Sequence, residues 1–158
     1  MSNQTISDPS LAYHTYTRGE YTISTDPARL DATAIQAYLS RSYWASGRPI
    51  ESVELSLRHS LNFGVYHSND QGDTQVGLAR IVTDYALFAY LCDVYILEEH
   101  RGHGLGKWLI ETMLNDPSLK QIRRFMLATR DAHGLYAQFG FAPFAKPEIW
   151  MERLRVQP

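Results

Sequence analysis

The sequence has little of what marks several specialised classes of protein. Cys92 is the only cysteine among 158 residues, which excludes an internal disulfide and a metal site built from several cysteines. No apolar run is long enough to span a bilayer, and there are no internal repeats or low-complexity tracts. Because 15 basic and 17 acidic residues give a net charge of −2, no strong general attraction to nucleic acid or to anionic membranes is expected.

These absences lead to expectations about location and partners. The first five residues contain no basic region followed by an apolar core, so a secretory signal is not expected. A lone thiol fits a reducing cytoplasm. His14, His59, His67 and His133 show no metal-ligand spacing such as H-x-x-x-H, and we interpret His100 and His103, which flank a glycine-rich loop, as solvated. We therefore expect a cytoplasmic protein that uses no metal and binds neither nucleic acid nor membrane.

The remaining composition is that of a folded globular protein. Hydrophobic residues make up 44% and charged residues 20% of a chain long enough to bury a sizeable core. Residues 1–20 are polar and weakly patterned, and we interpret them as a partly ordered N-terminal arm. Residues 21–158 are expected to form a single domain, since no linker composition interrupts them.

Hydrophobic periodicity predicts the element order β-α-α-β-β-β-α-β-α-β. The predicted strands lie at 21–25, from 61 to a turn at 68–73, at 76–82, 87–97 and 125–128, and from 149 to 154. The predicted helices begin near Leu30, after Pro49, at Leu105 and at Ala132. A hairpin meander beside a β-α-β crossover indicates an α/β fold of α+β character, with a central twisted mixed sheet flanked by helices.

The most informative segment runs from Val94 to Leu109. An apolar strand enters a glycine-rich turn, and the turn opens a helix. Such a layout gathers unpaired backbone N–H groups where the positive end of the helix dipole favours an anion. Gly102, Gly104 and Gly106 allow the backbone to approach a bulky ligand closely. The segment predicts a site for a phosphate-bearing cofactor, the alternative being an ordinary glycine-rich connection.

Two better-known phosphate-binding loops do not fit this spacing. The dinucleotide fingerprint G-x-G-x-x-G would need its last glycine one residue after Gly106. The nucleoside triphosphate loop needs four residues between its first glycine and the Gly-Lys pair, whereas only three separate Gly102 from Gly106. Trp108 also stands where a hydroxyl would hold magnesium. What remains is the pattern Arg101-x-x-Gly104-x-Gly106.

This pattern resembles the pyrophosphate-binding signature R/Q-x-x-G-x-G/A of the GNAT superfamily of acyl-CoA-dependent N-acetyltransferases. The element order is similar to that of the same family, and so is the segment Ala132–Phe141, in which Leu-Tyr is followed by Gly-Phe. The resemblance implies a GNAT-like fold. It also implies direct transfer of an acetyl group from acetyl-CoA to a primary amine, for which Cys92 is not needed as a nucleophile.

The resemblance also implies which residues hold the cofactor. The loop would bind the pyrophosphate, and the backbone of the preceding strand would pair with the pantetheine arm and supply an oxyanion donor. Thr129 stands where many relatives have an asparagine. The cofactor-binding candidates are Val94, Tyr95, Ile96, Arg101, Gly102, His103, Gly104, Leu105, Gly106, Lys107, Thr129 and His133.

Two residues are candidates for the catalytic steps. Tyr136 is implied to be the general acid that protonates the leaving thiolate, a task that suits a phenol with an ordinary pKa of about 10. The alternative is a core tyrosine on an apolar helix face. Asp93 is a candidate general base, because a carboxylate inside an apolar strand is costly to bury and needs an explanation. The alternative is a structural carboxylate bonded to a neighbouring arginine or backbone N–H.

In this family the first two helices and their connection usually build the acceptor pocket. That placement makes Tyr43, Trp44 and Arg48 the substrate-binding candidates, with Arg58 better explained as surface charge. Aromatic residues beside arginines indicate a small amine with an aromatic or acidic portion. Two other functions stay open: a protein lysine or N-terminal acetyltransferase, and a non-catalytic acyl-CoA-binding module. Because dimers are common in the family, a homodimer through Trp150 or the N-terminal arm is a further expectation.

Overall fold

A computed structural model describes residues 12–155. The chain divides into two compact units, Met1–Ala128 and Thr129–Pro158. Residues 1–11 of the predicted arm lie outside the described part, and the assignment of 21–158 to a single domain stays a prediction.

The first unit contains one six-stranded sheet whose strand order follows the chain. Its strands are β1 (Thr15–Arg18), β2 (Tyr21–Ser24), β3 (Leu61–Asn69), β4 (Gly72–Thr83), β5 (Phe88–Ile96) and β6 (Arg124–Leu127). Neighbouring strands are antiparallel, except that β5 and β6 are parallel. The helices are α1 (Ala32–Leu39) and α2 (Ile50–Arg58) between β2 and β3, and α3 (Leu105–Asn115) between β5 and β6. The predicted mixed sheet flanked by helices is confirmed.

Local sequence explains where the helices begin and which side they bury. Asp31 caps α1, since its carboxylate accepts a hydrogen bond from the Ala34 N–H. Within α2, Val53 and Leu57 are buried, whereas Leu55 is exposed. The apolar faces of α1 and α2 pack around Leu78 of β4 and Tyr95 of β5; the buried members of this cluster are Ile35, Tyr38, Leu39, Ala45, Val53, Leu57, Leu78 and Tyr95. Helix α3 packs against β3 and β5.

Strand β5 is irregular at the point that matters for the site. Leu78 of β4 opposes Tyr95, and Arg80 opposes Cys92, so two residues of β5 lie opposite the single residue between them on β4. The first of these two, Asp93, has a φ of 50°. Such a bulge bends a strand and re-aims its side chains, and a non-glycine residue in the left-handed region is uncommon enough to indicate a functional constraint.

Two predictions about elements were wrong or incomplete. The arm contributes β1, which pairs with β2 and extends the sheet by one strand.

In the second unit, α4 (His133–Ala137) forms and Gly140, at a φ of 84°, follows it as predicted. The predicted last strand at 149–154 is absent from the described residues: the segment follows a 3-10 turn at Pro147–Ile149 and is mostly exposed. A strand needs a hydrogen-bonded partner, and none of the six strands among residues 12–155 pairs with this segment.

Candidate active site

The glycine-rich loop presents a row of backbone donors at the start of α3. Gly102 and Gly104 have φ values of 83° and 70°, in the region that favours glycine, and Gly104 immediately precedes the helix. Within residues 12–155, the N–H groups from Gly102 to Lys107 donate to no protein acceptor. Unpaired N–H groups at a helix N-terminus form a ready site for an anion. The loop therefore has the local geometry that its sequence predicts.

Two arginines hold this loop in shape. Arg101, predicted to bind cofactor, donates from Nε to the Ile96 carbonyl at 3.0 Å and from Nη2 to the Tyr38 hydroxyl at 3.2 Å. The Arg101 guanidinium thus links the turn to the end of β5 and to α1. Arg18 of β1 donates to the His103 carbonyl at 2.7 Å and lies over the half-exposed Trp108 ring. Sequence reasoning missed Arg18 and Tyr38, which reach the loop from distant parts of the chain.

Acidic and aromatic groups complete the surroundings of the loop. Glu98 makes a two-pronged ion pair with Arg41, with N–O distances of 2.7 and 2.8 Å, and this contact lowers the pKa of the Glu98 carboxyl to about 2. His100, hydrogen-bonded to the Tyr21 hydroxyl at 3.0 Å, lies beside His67. Burial, followed by the nearby His67, lowers the pKa of His100.

The strand leading to the loop pairs with β6 along only part of its length. Pairing between β5 and β6 ends at Leu91 and Leu127, so residues 92–96 run to the loop without a β6 partner. The splay and the contact of Val94, Tyr95 and Ile96 with a cofactor arm, which the resemblance implies, stay predictions. The Tyr95 side chain stacks on Tyr38 at 3.8 Å and is buried, so only its backbone is available to a ligand. Burial raises the pKa of the Tyr95 phenol.

Asp93 sits at the centre of a polar cluster under the connection between α1 and α2. Its Oδ2 accepts hydrogen bonds from Arg80 Nε at 2.7 Å and Arg48 Nη1 at 2.9 Å, and its Oδ1 accepts one from Trp44 Nε1 at 3.1 Å. The two arginine contacts are those expected if Asp93 is a structural carboxylate, the alternative to a general base. A carboxylate has about four acceptor positions, of which three are used here and one is left. The role of Asp93 as general base stays a prediction.

Arg80 is a residue that the sequence reasoning missed, although a signal was present. It stands in the apolar strand β4, as Asp93 stands in β5, and a charge in such a position needs a partner as much as a carboxylate does. Arg80 also donates to Ser60 Oγ at 3.0 Å. Matching the two isolated charges on adjacent predicted strands would have found the pair.

The predicted substrate-binding residues lie together at this cluster. Trp44 and Arg48 both donate to Asp93, and Tyr43 packs edge-on against Trp44 with ring centroids 5.1 Å apart. Trp44 is 38% exposed and Tyr43 48%, so both rings present surface to solvent. The α1–α2 connection therefore supplies aromatic surface beside a cation.

The remaining predicted residues belong to the second unit. Tyr136 lies on α4 and packs edge-on against Phe141. Thr129 Oγ1 accepts a hydrogen bond from the Ala132 N–H, a local contact at the turn before α4. His133 is the exposed first residue of that helix. Their predicted roles toward cofactor and substrate stay predictions.

Residues 12–155 contain neither a candidate membrane-spanning helix nor a cluster of metal-binding side chains. In this part of the chain no helix is both long and apolar enough to cross a membrane. The same residues contain no group of three or more histidine, cysteine or acidic side chains that could hold a metal ion.

Comparison with known proteins places this geometry in context. A sequence profile described as "Acetyltransferase (GNAT) family" matches residues 30–141. A Gibberella zeae protein named as an acetyltransferase is 40% identical in an alignment of 141 positions, and the match covers 78% of this chain and 79% of that protein. The chain spans about half the length of several other curated relatives.

Solved structures agree with the sequence comparison. A GNAT-family structure from Xanthomonas campestris pv. campestris is 45% identical, with a TM-score of 0.79 over 85% of this chain and 93% of that chain. The structure of a Clostridium acetobutylicum acetyltransferase with acetyl-CoA has a TM-score of 0.59 over 90% of this chain and 95% of that chain. At 14% identity, this second likeness is one of fold alone.

Proposed function

The chain belongs to the GNAT family of acetyltransferases, and on that premise we propose that it transfers an acetyl group from acetyl-CoA directly to the primary amine of a small molecule. Acetyl-CoA supplies the activated thioester, so no metal and no covalent enzyme intermediate are required. We also propose that the reaction takes place in the cytoplasm, in keeping with the single thiol of the sequence.

The observation that carries this proposal is a strand without a β6 partner that leads into a loop of unpaired N–H groups. Residues 92–96 of β5 pair with β4 but not with β6, and after five intervening residues the N–H groups of Gly102 to Lys107 donate to no acceptor within residues 12–155. A Cβ built on Gly102 or Gly106 would meet nothing within 4 Å, so the space at these residues is open. An extended ligand with an anionic end fits an open strand edge that leads into a helix N-terminus.

Each part of the proposed site has a chemical task. The loop donors bind the pyrophosphate, and the edge of β5 orients the arm and places one N–H where negative charge develops on the carbonyl oxygen. Tyr136 gives a proton to the leaving thiolate. Asp93 has one acceptor position left for a proton from the amine, directly or through water.

Thiol release from acetyl-CoA, measured against amines, polyamines, amino acids and lysine peptides, tests the proposal. Calorimetric binding of acetyl-CoA is measured alongside. Turnover with a small amine is the expected result. Turnover with peptides alone would instead support a protein acetyltransferase, and tight binding without any turnover would support an acyl-CoA-binding module.

Gly104→Asp is expected to abolish acetyl-CoA binding. The substitution adds a carboxylate at a φ of 70°, about where the pyrophosphate is proposed to lie and close to Arg18. Gly72→Asp is the matched control, because it adds the same group at another positive-φ glycine, in the β3–β4 hairpin. Binding by Gly104→Asp at wild-type affinity would remove the loop from the proposed site.

Tyr136→Phe separates catalysis from binding. Loss of the general acid should lower kcat by about 100-fold while acetyl-CoA binding stays within about twofold, since the phenyl ring keeps its packing on Phe141. Tyr13→Phe, at an exposed tyrosine, is the control. An unchanged kcat for Tyr136→Phe would show that the assigned role is wrong.

A further inference from the structure

The cluster around Asp93 is unbalanced in charge. Its single carboxylate, only 2% exposed, faces the guanidinium groups of both Arg48 and Arg80. Across the described residues, no second carboxylate lies within 4.0 Å of either arginine. Desolvated ions are normally paired, because only an opposite charge or hydrogen bonds offset the cost of leaving water. The cluster therefore carries one positive charge more than its own residues neutralise.

Arg48 is the arginine that can accept a further anion. Its side chain is 27% exposed, whereas that of Arg80 is 12% exposed and also engages Ser60. Arg48 donates through Nη1 alone, and its other side-chain N–H groups meet no acceptor between residues 12 and 155. Because a guanidinium has five donors in a fixed fork, Arg48 keeps a donor edge for a ligand.

The backbone around Arg48 is held in place. Its N–H donates to the Ala45 carbonyl at 3.1 Å, and its carbonyl accepts from Gln36 Nε2 at 3.3 Å. Trp44 donates to the same carboxylate as Arg48, so the indole edge and the guanidinium lie side by side. A preorganised cation next to aromatic surface loses little entropy when it binds a ligand.

The position of this cation links it to the proposed chemistry. Asp93, to which Arg48 is bonded, directly precedes Val94 in the part of β5 that has no β6 partner. An anion held by Arg48 is therefore separated from the strand that is proposed to orient the acetyl donor by the Asp93 side chain and one guanidinium group.

We propose that Arg48 binds a carboxylate of the acceptor, so that the acceptor is a primary amine which also carries a carboxylate, as amino acids do. This inference rests on the proposed acetyl transfer and names its substrate class. A carboxylate matches the guanidinium fork with two parallel hydrogen bonds and neutralises the surplus charge. The exposed part of the Trp44 ring then packs against the rest of the acceptor.

Matched pairs of acceptors that differ in the carboxylate test this inference. The pairs are phenylalanine with phenethylamine, leucine with isoamylamine, and lysine with cadaverine. Values of kcat/KM are corrected for the fraction of free amine, because loss of the carboxylate raises the pKa of the amine. The wild-type protein should favour the carboxylate member of at least one pair by about tenfold or more, the effect of one charge-assisted hydrogen bond.

Arg48→Gln should remove most of that preference. The KM for the carboxylate acceptor is expected to rise about tenfold more than the KM for the neutral amine, because only the carboxylate loses its hydrogen bonds to the guanidinium, whereas any effect that passes through Asp93 reaches both acceptors alike. Arg48→Lys keeps the positive charge but loses the planar guanidinium, so its preference for carboxylate acceptors should lie between those of the wild-type protein and Arg48→Gln. Arg123→Gln removes the same charge from an exposed position and is the control. Arg80 still pairs with Asp93 in these variants, and thermal unfolding verifies their fold.

Two outcomes would overturn the inference while leaving acetyl transfer intact. One is equal use of neutral amines and carboxylates by the wild-type protein. The other is an equal loss for both acceptor classes in Arg48→Gln. If no acceptor is acetylated, the N-acetyl amino acids are titrated as ligands by calorimetry. Binding that depends on Arg48 would then support the carboxylate site although the transfer proposal fails, and absence of binding would refute the site as well.

Discussion

Asp93 and Asp116 are two buried carboxylates that satisfy their hydrogen-bonding needs in different ways. The side chain of Asp93 is 2% exposed and that of Asp116 is fully buried. Asp116 accepts hydrogen bonds from the Tyr16 hydroxyl and the Ser118 N–H, both at 2.8 Å, and is bonded to His14 Nδ1 at 3.0 Å. Of these three donors only His14 can carry a charge, and only when protonated. Asp93, by contrast, is held by two permanent cations and an indole.

The difference distinguishes a carboxylate that holds the fold together from one that prepares a binding site. The donors of Asp116 tie β1 to the C-terminal end of α3, and they match the acceptor without surplus. The two positive charges beside Asp93 exceed the single negative charge of its carboxylate, and the excess lies on the more exposed arginine. Folding alone gains nothing from a surplus charge that is partly removed from water, so the surplus points to a ligand.

Asp93→Asn should have the largest effect of the substitutions in these clusters. It leaves two guanidinium groups close together without a counter-charge, which is expected to lower the free energy of unfolding by about 3 kcal/mol or more. Turnover of carboxylate acceptors by the folded protein should also fall at least about tenfold, because Arg48 and Trp44 lose their common anchor. Denaturant unfolding and steady-state kinetics measure the two effects.

Asp116→Asn is the control for this pair of effects. Its amide keeps one acceptor oxygen but cannot serve all three donors, so a loss of about 1–3 kcal/mol in the free energy of unfolding is expected. The kcat/KM of the folded fraction should stay within about twofold. An equal loss of turnover in both variants would erase the distinction between the two carboxylates.

The two arginines on Asp93 should also respond differently. Arg80→Gln removes the more buried partner, together with its bond to Ser60, and is expected to lower the free energy of unfolding by about 2–3 kcal/mol. Arg48→Gln should change it by less than about 1 kcal/mol, because the lost hydrogen bond is offset by relief of the repulsion from Arg80. Urea unfolding of both variants decides the matter, and similar losses would contradict a surplus charge at Arg48.

The smallest effect is expected at the exposed pair of Glu98 and Arg41. The pKa of Glu98 is lowered to about 2 in the folded protein, below its ordinary value of about 4.5. The stabilisation of the folded state by this ion pair is therefore present above about pH 4.5 and is lost as the pH falls toward 2. Glu98→Gln should lower Tm slightly at about pH 6 and low salt, and this difference should shrink at about pH 3 and in high salt. A difference independent of pH would contradict the pairing.

Prediction from sequence succeeded where the deciding interactions are local. The strand, the glycine turn and the helix start lie within one short segment, where φ preferences and orphan N–H groups depend on near neighbours. It failed for the strand expected at 149–154, because a strand exists only where another strand pairs with it. It also missed Arg18, whose contact with His103 spans 85 residues.

The sequence by itself determined the order of most elements, the anion-favouring loop and the position of an isolated acid in an apolar strand. Only the tertiary structure decided what that acid does. The partners of Asp93 are Trp44, Arg48 and Arg80, which lie 49, 45 and 13 residues away. They meet at one carboxylate because β5 bulges at Asp93, while β4 and the α1–α2 connection supply the surrounding donors. No local sequence pattern encodes contacts between segments so far apart in the chain.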